Sequence, residues 1–350
     1  MSLKIAAAML IAFCVTGCKK SSNTSPATPA SQSSAQNLNG AGATFPYPIY
    51  SKWFSEYATS HPGIHINYQP IGSGGGIRQA SEGTVDFGAS DGPMTDQQIK
   101  EAKVPLMHIP TVLGAVVPVY NLPGITGNLN FAPDVIADIY LGKIKKWSDP
   151  RIAKDNPGVK FPDTAILPVY RSDGSGTTYI FTDFLSKVSP EWASKVGKST
   201  SVKWPVGIGQ KGNPGVAGMV QQSPSSFGYV ELIYALQNKI NYGSVRNASG
   251  KFVRATTEGV TAAAAAAAKN MPVDYRVSIT NAPGDTSYPI SSFTWFLIPT
   301  HSTDAAKAQT LKDFMTWMLD HGESEASSMD YAPLPPQVQD MVRKSIADLH

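Results

Sequence analysis

Ala165-Ile166-Leu167-Pro168-Val169-Tyr170 runs directly into Arg171-Ser172-Asp173-Gly174-Ser175-Gly176-Thr177-Thr178, and that into a stretch carrying Ile180, Phe181, Phe184 and Leu185. A short apolar run, a Gly/Ser turn and apolar residues at helical spacing read as strand, loop and helix in immediate succession. The reading predicts a strand over 165–170 and a helix over 177–187. The same order recurs along the chain. Ile64–Ile71 is β-like and meets Gly72-Ser73-Gly74-Gly75-Gly76. Val85–Ala89 and the β-branched Thr111–Val119 read as further strands, Pro133–Leu141 as a helix, Phe293–Ile298 as a late strand and Thr303–Leu319 as a late helix. Ile49, Trp53 and Tyr57 recur at helical spacing after Pro46, which predicts a helix over 46–60. Strands alternating with helices argue an α/β fold.

A length of 350 residues suggests two lobes. No repeat and no single Pro/Gly linker divides the chain. Instead, apolar strands near 111–119 and 290–298 bracket its middle third, as expected of one lobe inserted into another. The expected division is 38–112 plus 290–350 for lobe I and 113–289 for lobe II. Seven consecutive alanines, Ala262–Ala268, have high helix propensity over too short a span for a bilayer, and predict a surface helix.

The N-terminus is read as targeting sequence. Lys4 precedes the apolar run Ile5–Val15, and small residues lead to Cys18. Residues 1–17 are expected to be a signal peptide cleaved before Cys18, which carries the lipid. Residues 18–37 follow as a flexible tether rich in Ser, Pro, Ala and Thr. The expected location is periplasmic or otherwise extracytoplasmic, anchored to a membrane through Cys18. Cleavage removes Lys4 and no acid, so the net charge falls from +3 to +2. Cys14 and Cys18 are the only cysteines, so the mature chain can form no internal disulfide. Scattered Lys and Arg with 16% charged residues do not suit a nucleic-acid binder.

Three segments carry the chemistry: Gly40-Ala41-Gly42-Ala43-Thr44-Phe45-Pro46, Gly72–Gly76 and Arg171–Thr178. Glycine lets backbone approach closely, Ser and Thr supply hydroxyls, and a helix start exposes N–H groups; together these suit a phosphate-like anion. Thr44 is a candidate N-cap of the helix after Pro46. No Gly-Lys-Ser/Thr follows Gly72–Gly76, so it is not a Walker loop. Ser172–Gly176 lacks the first glycine of a nucleophile elbow. His61 and His65 flank Pro62 and Gly63 and read as loop and strand residues rather than a metal pair. Residues alone leave open an anion receptor, a phosphoryl-transfer enzyme lacking a visible metal cluster or nucleophile, and an anchored adhesin.

The motifs GAGATFP from Gly40, GSGGG from Gly72, VDFGASD from Val85 and RSDGSGTT from Arg171 resemble those of the phosphate-binding receptors of bacterial phosphate ABC transporters. IYLGKIKKW from Ile139, WPVGIGQKGN from Trp204, GYVE from Gly228 and DYAPLP from Asp330 extend the resemblance to nearly all of the chain beyond Leu38. It implies a two-lobed periplasmic-binding-protein fold with the ligand cleft between lobes, and a monomeric receptor, not an enzyme, that passes phosphate to a membrane permease. It implies neither cofactor nor metal. The phosphate ligands it implies are Ala43, Thr44, Phe45, Ser73, Asp91, Arg171, Ser175, Gly176 and Thr177, with Asp173 orienting Arg171. Gly74 departs from the pattern, which often has a second Ser there. Lys143, Lys145 and Lys146 suit either a transporter-facing patch or a solvated helix end.

Overall fold

The computed structural model describes residues 36–125 and 127–349. The expected signal peptide, Cys18 and the tether up to residue 35 lie outside the described residues. Twelve strands are described: β1 Gln36–Gly42, β2 Ile64–Gln69, β3 Phe87–Ser90, β4 Leu106–Asn121, β5 Asn130–Phe131, β6 Leu167–Arg171, β7 Ile208–Gln210, β8 Ser226–Glu231, β9 Asn241–Tyr242, β10 Ser244–Arg246, β11 Phe252–Val253 and β12 Ser291–Pro299. The large sheet runs β2-β1-β3-β12-β4-β8-β6-β7, with β9 also on β4, and β11-β10-β5 form a small second sheet. β1 is parallel to β2 and β3, and β6 is parallel to β7 and β8, so two parallel βα modules are built into one mixed sheet.

β4 joins them. Its first part, Leu106–Ala115, pairs antiparallel with β12, and its second, Val116–Asn121, pairs antiparallel with β8. The fold is α/β with two lobes, and β4 is shared by both halves of the sheet. The strand is 16 residues long, against the nine expected, and contains Pro110 and Pro118. Proline cannot donate to a ladder, so Pro110 argues against a strand reaching back beyond residue 111, while Pro118 lies within the expected span. A register shift between Thr294 and Trp295, opposite Pro110, accommodates the first of them.

The first helix is Tyr47–Ser60, and its buried face of Ile49, Tyr50, Trp53, Phe54 and Tyr57 is the one expected. Tyr50 packs 4.7 Å from Phe296, and Phe54 lies 5.3 Å from Phe314 between ring centroids. The other half has its own aromatic core, in which Phe181 stacks on Tyr229 at 4.2 Å. β2 ends at Gln69, two residues short of expectation, because Pro70 follows. Helix Thr257–Lys269 buries Val260, Ala263, Ala264 and Ala268, so one face of the alanine run belongs to the core and the helix is not on the surface alone. Helix Gly212–Gln222, β1 and β8 did not stand out in the sequence, since β1 is polar and the helix opens with Gly and Pro.

Helix Gly176–Val188 is fastened by a buried carboxylate. Asp183 accepts from Lys198 Nζ at 2.5 Å and from Ser278 Oγ and Thr280 Oγ1 at 2.6 and 2.5 Å, with Lys187 Nζ 3.1 Å away. Burial pushes its carboxyl up, but the ammonium and hydroxyl donors outweigh this and hold it down at about 2. Among the described residues no helix is long and apolar enough to cross a membrane.

Candidate functional site

The three glycine-rich segments meet. Each follows a parallel strand at its carboxyl end, where open α/β sheets place their ligands. After β1, Gly42 has φ 149°, and a Cβ there would lie 2.1 Å from the Ala89 carbonyl oxygen. Only glycine fits. The following peptides are fixed by tyrosine hydroxyls: Tyr68 donates to the Ala43 oxygen at 2.8 Å, Tyr234 to the Thr44 oxygen at 2.5 Å and Tyr331 to the Phe45 oxygen at 2.6 Å. Ala43 commits its N–H to Ala89 O at 3.0 Å, so it walls the turn without a donor to offer. The N–H groups of Thr44 and Phe45 make no bond to a protein acceptor among the described residues.

Thr44 does not cap the first helix. Its N-cap position is Pro46, with no side-chain bond. The Thr44 hydroxyl oxygen instead accepts from the N–H and Nδ2 of Asn213, at 3.2 and 3.0 Å.

In the second segment Gly72, at φ 94°, sits where a Cβ would be 2.4 Å from Asp173 Oδ2. Ser73 opens helix Ser73–Glu82; its Oγ accepts from the Asp91 N–H at 3.2 Å and makes a long 3.4 Å contact with Asp91 Oδ2. Gly74 donates its N–H to Gly174 O at 2.8 Å, joining the second segment to the third. A serine at 74 would bring Cβ to 3.1 Å from Gly174 Cα, so the departure from the family pattern suits this close approach.

Arg171 ends β6 and is 3% exposed. Its Nε and Nη2 grip Asp173 Oδ1 and Oδ2 at 2.8 and 2.5 Å, and Nη1 donates to Thr177 Oγ1 at 3.2 Å. Such a bidentate pair fixes the guanidinium plane as well as its charge. Burial pushes the Asp173 carboxyl up, yet the bonds and charge of Arg171 leave it below the usual carboxylate range. Gly212 N–H also donates to Asp173 Oδ1, at 2.9 Å. Ser175 caps helix Gly176–Val188 by accepting from Thr178 N–H at 3.0 Å, which leaves its hydroxyl proton to donate elsewhere. Gly176 and Thr177 open that helix, so their N–H groups have no intrahelical acceptor.

Asp91 follows β3 and is 1% exposed. Thr294 Oγ1 donates to its Oδ1 at 3.1 Å. Its Oδ2 faces Gly176, where a Cβ would lie 2.5 Å from both Asp91 Oδ2 and Ser73 Oγ. Burial pushes the carboxyl up to about 7, against the bond from Thr294 and the charge of Arg171.

Contacts therefore join Ser73, Asp91 and Gly176, and join Thr44 to Thr177 and Arg171 through Asn213, with Asp173 behind Arg171; Phe45 follows Thr44, and Ser175 caps the helix that Gly176 and Thr177 open. Hydroxyls, helix-start N–H groups and one guanidinium can bind a compact oxyanion, while Asp91 Oδ2 can accept a proton borne by it. Asn213 was missed, because Asn between Gly212 and Pro214 reads as a turn residue. His61 stacks on Tyr57 and His65 lies in β2, as the sequence suggested. Among the described residues no group of three or more His, Cys, Asp and Glu is placed to hold a metal. Lys143 pairs with Glu191 and Asp138, and Lys146 with Asp163, as surface charges do.

A family model described as a PBP superfamily domain matches residues 27–321. The phosphate-binding protein PstS of Xylella fastidiosa (strain Temecula1) is 44% identical over 354 aligned residues, covering 97% of this chain and 96% of the relative. That of Pasteurella multocida is 48% identical over 305, covering 87% and 88%. Among solved structures, a high-affinity periplasmic phosphate-binding protein with bound phosphate, PfluDING, superposes with a TM-score of 0.71 at 21% identity, over 89% of this chain and 94% of the other. A phosphate-binding protein from Stenotrophomonas maltophilia gives 0.67 at 20%, over 89% and 94%. An ABC-type phosphate transport receptor from Vibrio cholerae gives 0.55 at 18%, over 85% and 100%. At these identities the structures speak for the fold.

Proposed function

We propose, because the chain belongs to the PstS family of phosphate-binding proteins within the PBP superfamily, that it is a solute receptor and not an enzyme. It captures inorganic phosphate between its two lobes outside the cytoplasm and serves an ABC transporter. The carrying observation is the buried grouping of Arg171, held by Asp173 and touching Thr177, together with the buried carboxyl group of Asp91.

The residue roles follow from donor and acceptor chemistry. Thr44 and Phe45 N–H, the Ser73, Ser175 and Thr177 hydroxyls, Gly176 and Thr177 N–H and Arg171 Nη1 stabilise the anion's oxygens. Ala43 shapes the turn. Asp91 accepts the hydrogen of a protonated phosphate oxygen, and Asp173 keeps Arg171 oriented and charged. Closing two lobes strips water from the anion, so neutral donors become worth more than in solvent.

Lobe I would comprise 38–112 and 290–350 and lobe II 113–289, with the middle of β4 and the entry to β12 as the hinge. Delivery would be to the transporter's membrane permease, from a monomer anchored through lipid on Cys18. Fatty-acid labelling that persists in a Cys18→Ser variant overturns the anchor.

The decisive test is titration calorimetry in phosphate-free buffer, with phosphate and sulfate added separately. The expected result is one phosphate per chain with Kd on the order of micromolar or tighter. A protein that binds a sugar or peptide and ignores phosphate sinks the reading.

A further inference from the structure

Asn213 touches both sides of the anion site and belongs to the WPVGIGQKGN segment, which sequence reading left without a role. It is fully buried at the start of helix Gly212–Gln222. Its Oδ1 accepts from the backbone N–H of Glu231 at 3.1 Å. A backbone N–H can only donate, so this bond fixes which way the amide points: oxygen to Glu231, nitrogen to the threonines. The two protons of Nδ2 then go to Thr44 Oγ1 at 3.0 Å and Thr177 Oγ1 at 3.1 Å.

A hydroxyl oxygen has two acceptor sites and one proton. Thr44 Oγ1 takes one proton from Asn213 N–H and one from Nδ2. Thr177 Oγ1 takes one from Asn213 Nδ2 and one from Arg171 Nη1. Both oxygens are saturated as acceptors, and each hydroxyl can only donate outward. We infer that Asn213 is a positioning residue that makes the Thr44 and Thr177 hydroxyls obligate donors and so tunes the site to an acceptor-rich anion. One side chain thereby sets hydrogen-bond polarity on two segments that are 133 positions apart in sequence. This rests on the phosphate-receptor reading above and adds to it a residue that need not touch the ligand.

The experiment is a background comparison by phosphate calorimetry in phosphate-free buffer. Asn213→Ala is measured in the wild-type protein and in a Thr44→Val, Thr177→Val background, with the melting temperature of each ligand-free protein recorded. If Asn213 acts through the hydroxyls, its loss weakens phosphate about tenfold or more in the threonine background and less than about threefold in the valine background. A merely structural role gives the same fold-loss in both, and that result overturns the inference. Should Asn213→Ala fail to fold, Asn213→Ser, which keeps a polar group near the Glu231 N–H, carries the same comparison. Equal losses alongside tight wild-type binding remove the inference alone. Wild-type protein without affinity for phosphate removes the receptor reading, and the inference with it.

Discussion

Replacing Asp91 with asparagine tests how this site separates phosphate from sulfate. In the wild-type protein Asp91 Oδ1 is occupied by Thr294 at 3.1 Å, while Oδ2 has only the long 3.4 Å contact from Ser73. Oδ2 thus keeps acceptor capacity for a ligand hydroxyl. Phosphate brings one near neutral pH. Sulfate does not, and it sets an anionic oxygen against a buried carboxylate. A buried acceptor left unpaired costs roughly 1–3 kcal/mol, more when charged. Sites built to bond a ligand hydroxyl reject the analogue lacking it by about 10⁴–10⁵-fold. In Asp91→Asn the amide oxygen stays with Thr294 and the NH₂ takes the Oδ2 position, where it donates to either anion. The phosphate-to-sulfate affinity ratio should narrow by roughly a hundredfold or more. Protonation imitates the substitution. Because the Asp91 carboxyl lies at about 7, acidifying the wild-type protein from pH 9 should tighten sulfate by about tenfold per unit, levelling off below that value. The variant should show no such slope. Calorimetry with both anions, in wild type and variant across pH 5–9, reads all of this. If sulfate is excluded equally by both proteins at every pH, selectivity lies elsewhere and Asp91 is not the proton acceptor.

Arg171→Ala should weaken phosphate by roughly 1.5–3 kcal/mol, the loss of a charge-assisted contact, and an unchanged Kd removes Arg171 from the site. Gly176→Ala places a Cβ 2.5 Å from Asp91 Oδ2 and Ser73 Oγ. Overpacking of that kind costs roughly 1–3 kcal/mol, so phosphate should bind about five- to 150-fold more weakly in a competitive titration, and normal affinity refutes the observed closeness. Asp183 has a depressed carboxyl, so its stabilisation is present above the ordinary pKa of 3.8 and is lost as pH falls through about 2. Asp183→Asn should therefore lower unfolding stability by about 2 kcal/mol at pH 7 and by nearly nothing at pH 2 in urea titrations. A constant difference across that range contradicts the ion-pair account.

The glycine-rich turns were more legible than the fold's connections. Each glycine-rich turn announces itself locally, because the residues that must be small or hydroxylated are neighbours in sequence. Thr44 misled for the same reason. A Thr before a Pro-initiated helix has the local pattern of an N-cap, but a residue 169 positions away holds its oxygen instead. Asn213 could be found only through that long-range bond. β4 was foreshortened at its start because Pro110 argues locally against a central strand. What accommodates Pro110 is a register shift on β12, far along the chain. β1 has no alternation to detect, since it is a parallel strand whose sequence is written by glycine contacts and not by an apolar face.

The bond from Gly74 N–H to Gly174 O bears on how fast the receptor can empty. Both partners are backbone of side-chain-free residues, so no rotamer flip can undo it, and an opening that separates the two lobes proposed above must break it. Dissociation then has a ceiling set by that parting, which is the same for every anion the closed site accepts. A poorly held ion would escape no sooner than the gate allows. Residence time would be governed partly by two glycines that carry none of the ligand's charge, and kinetic retention could be changed at positions 74 and 174 with the anion's own contacts left in place.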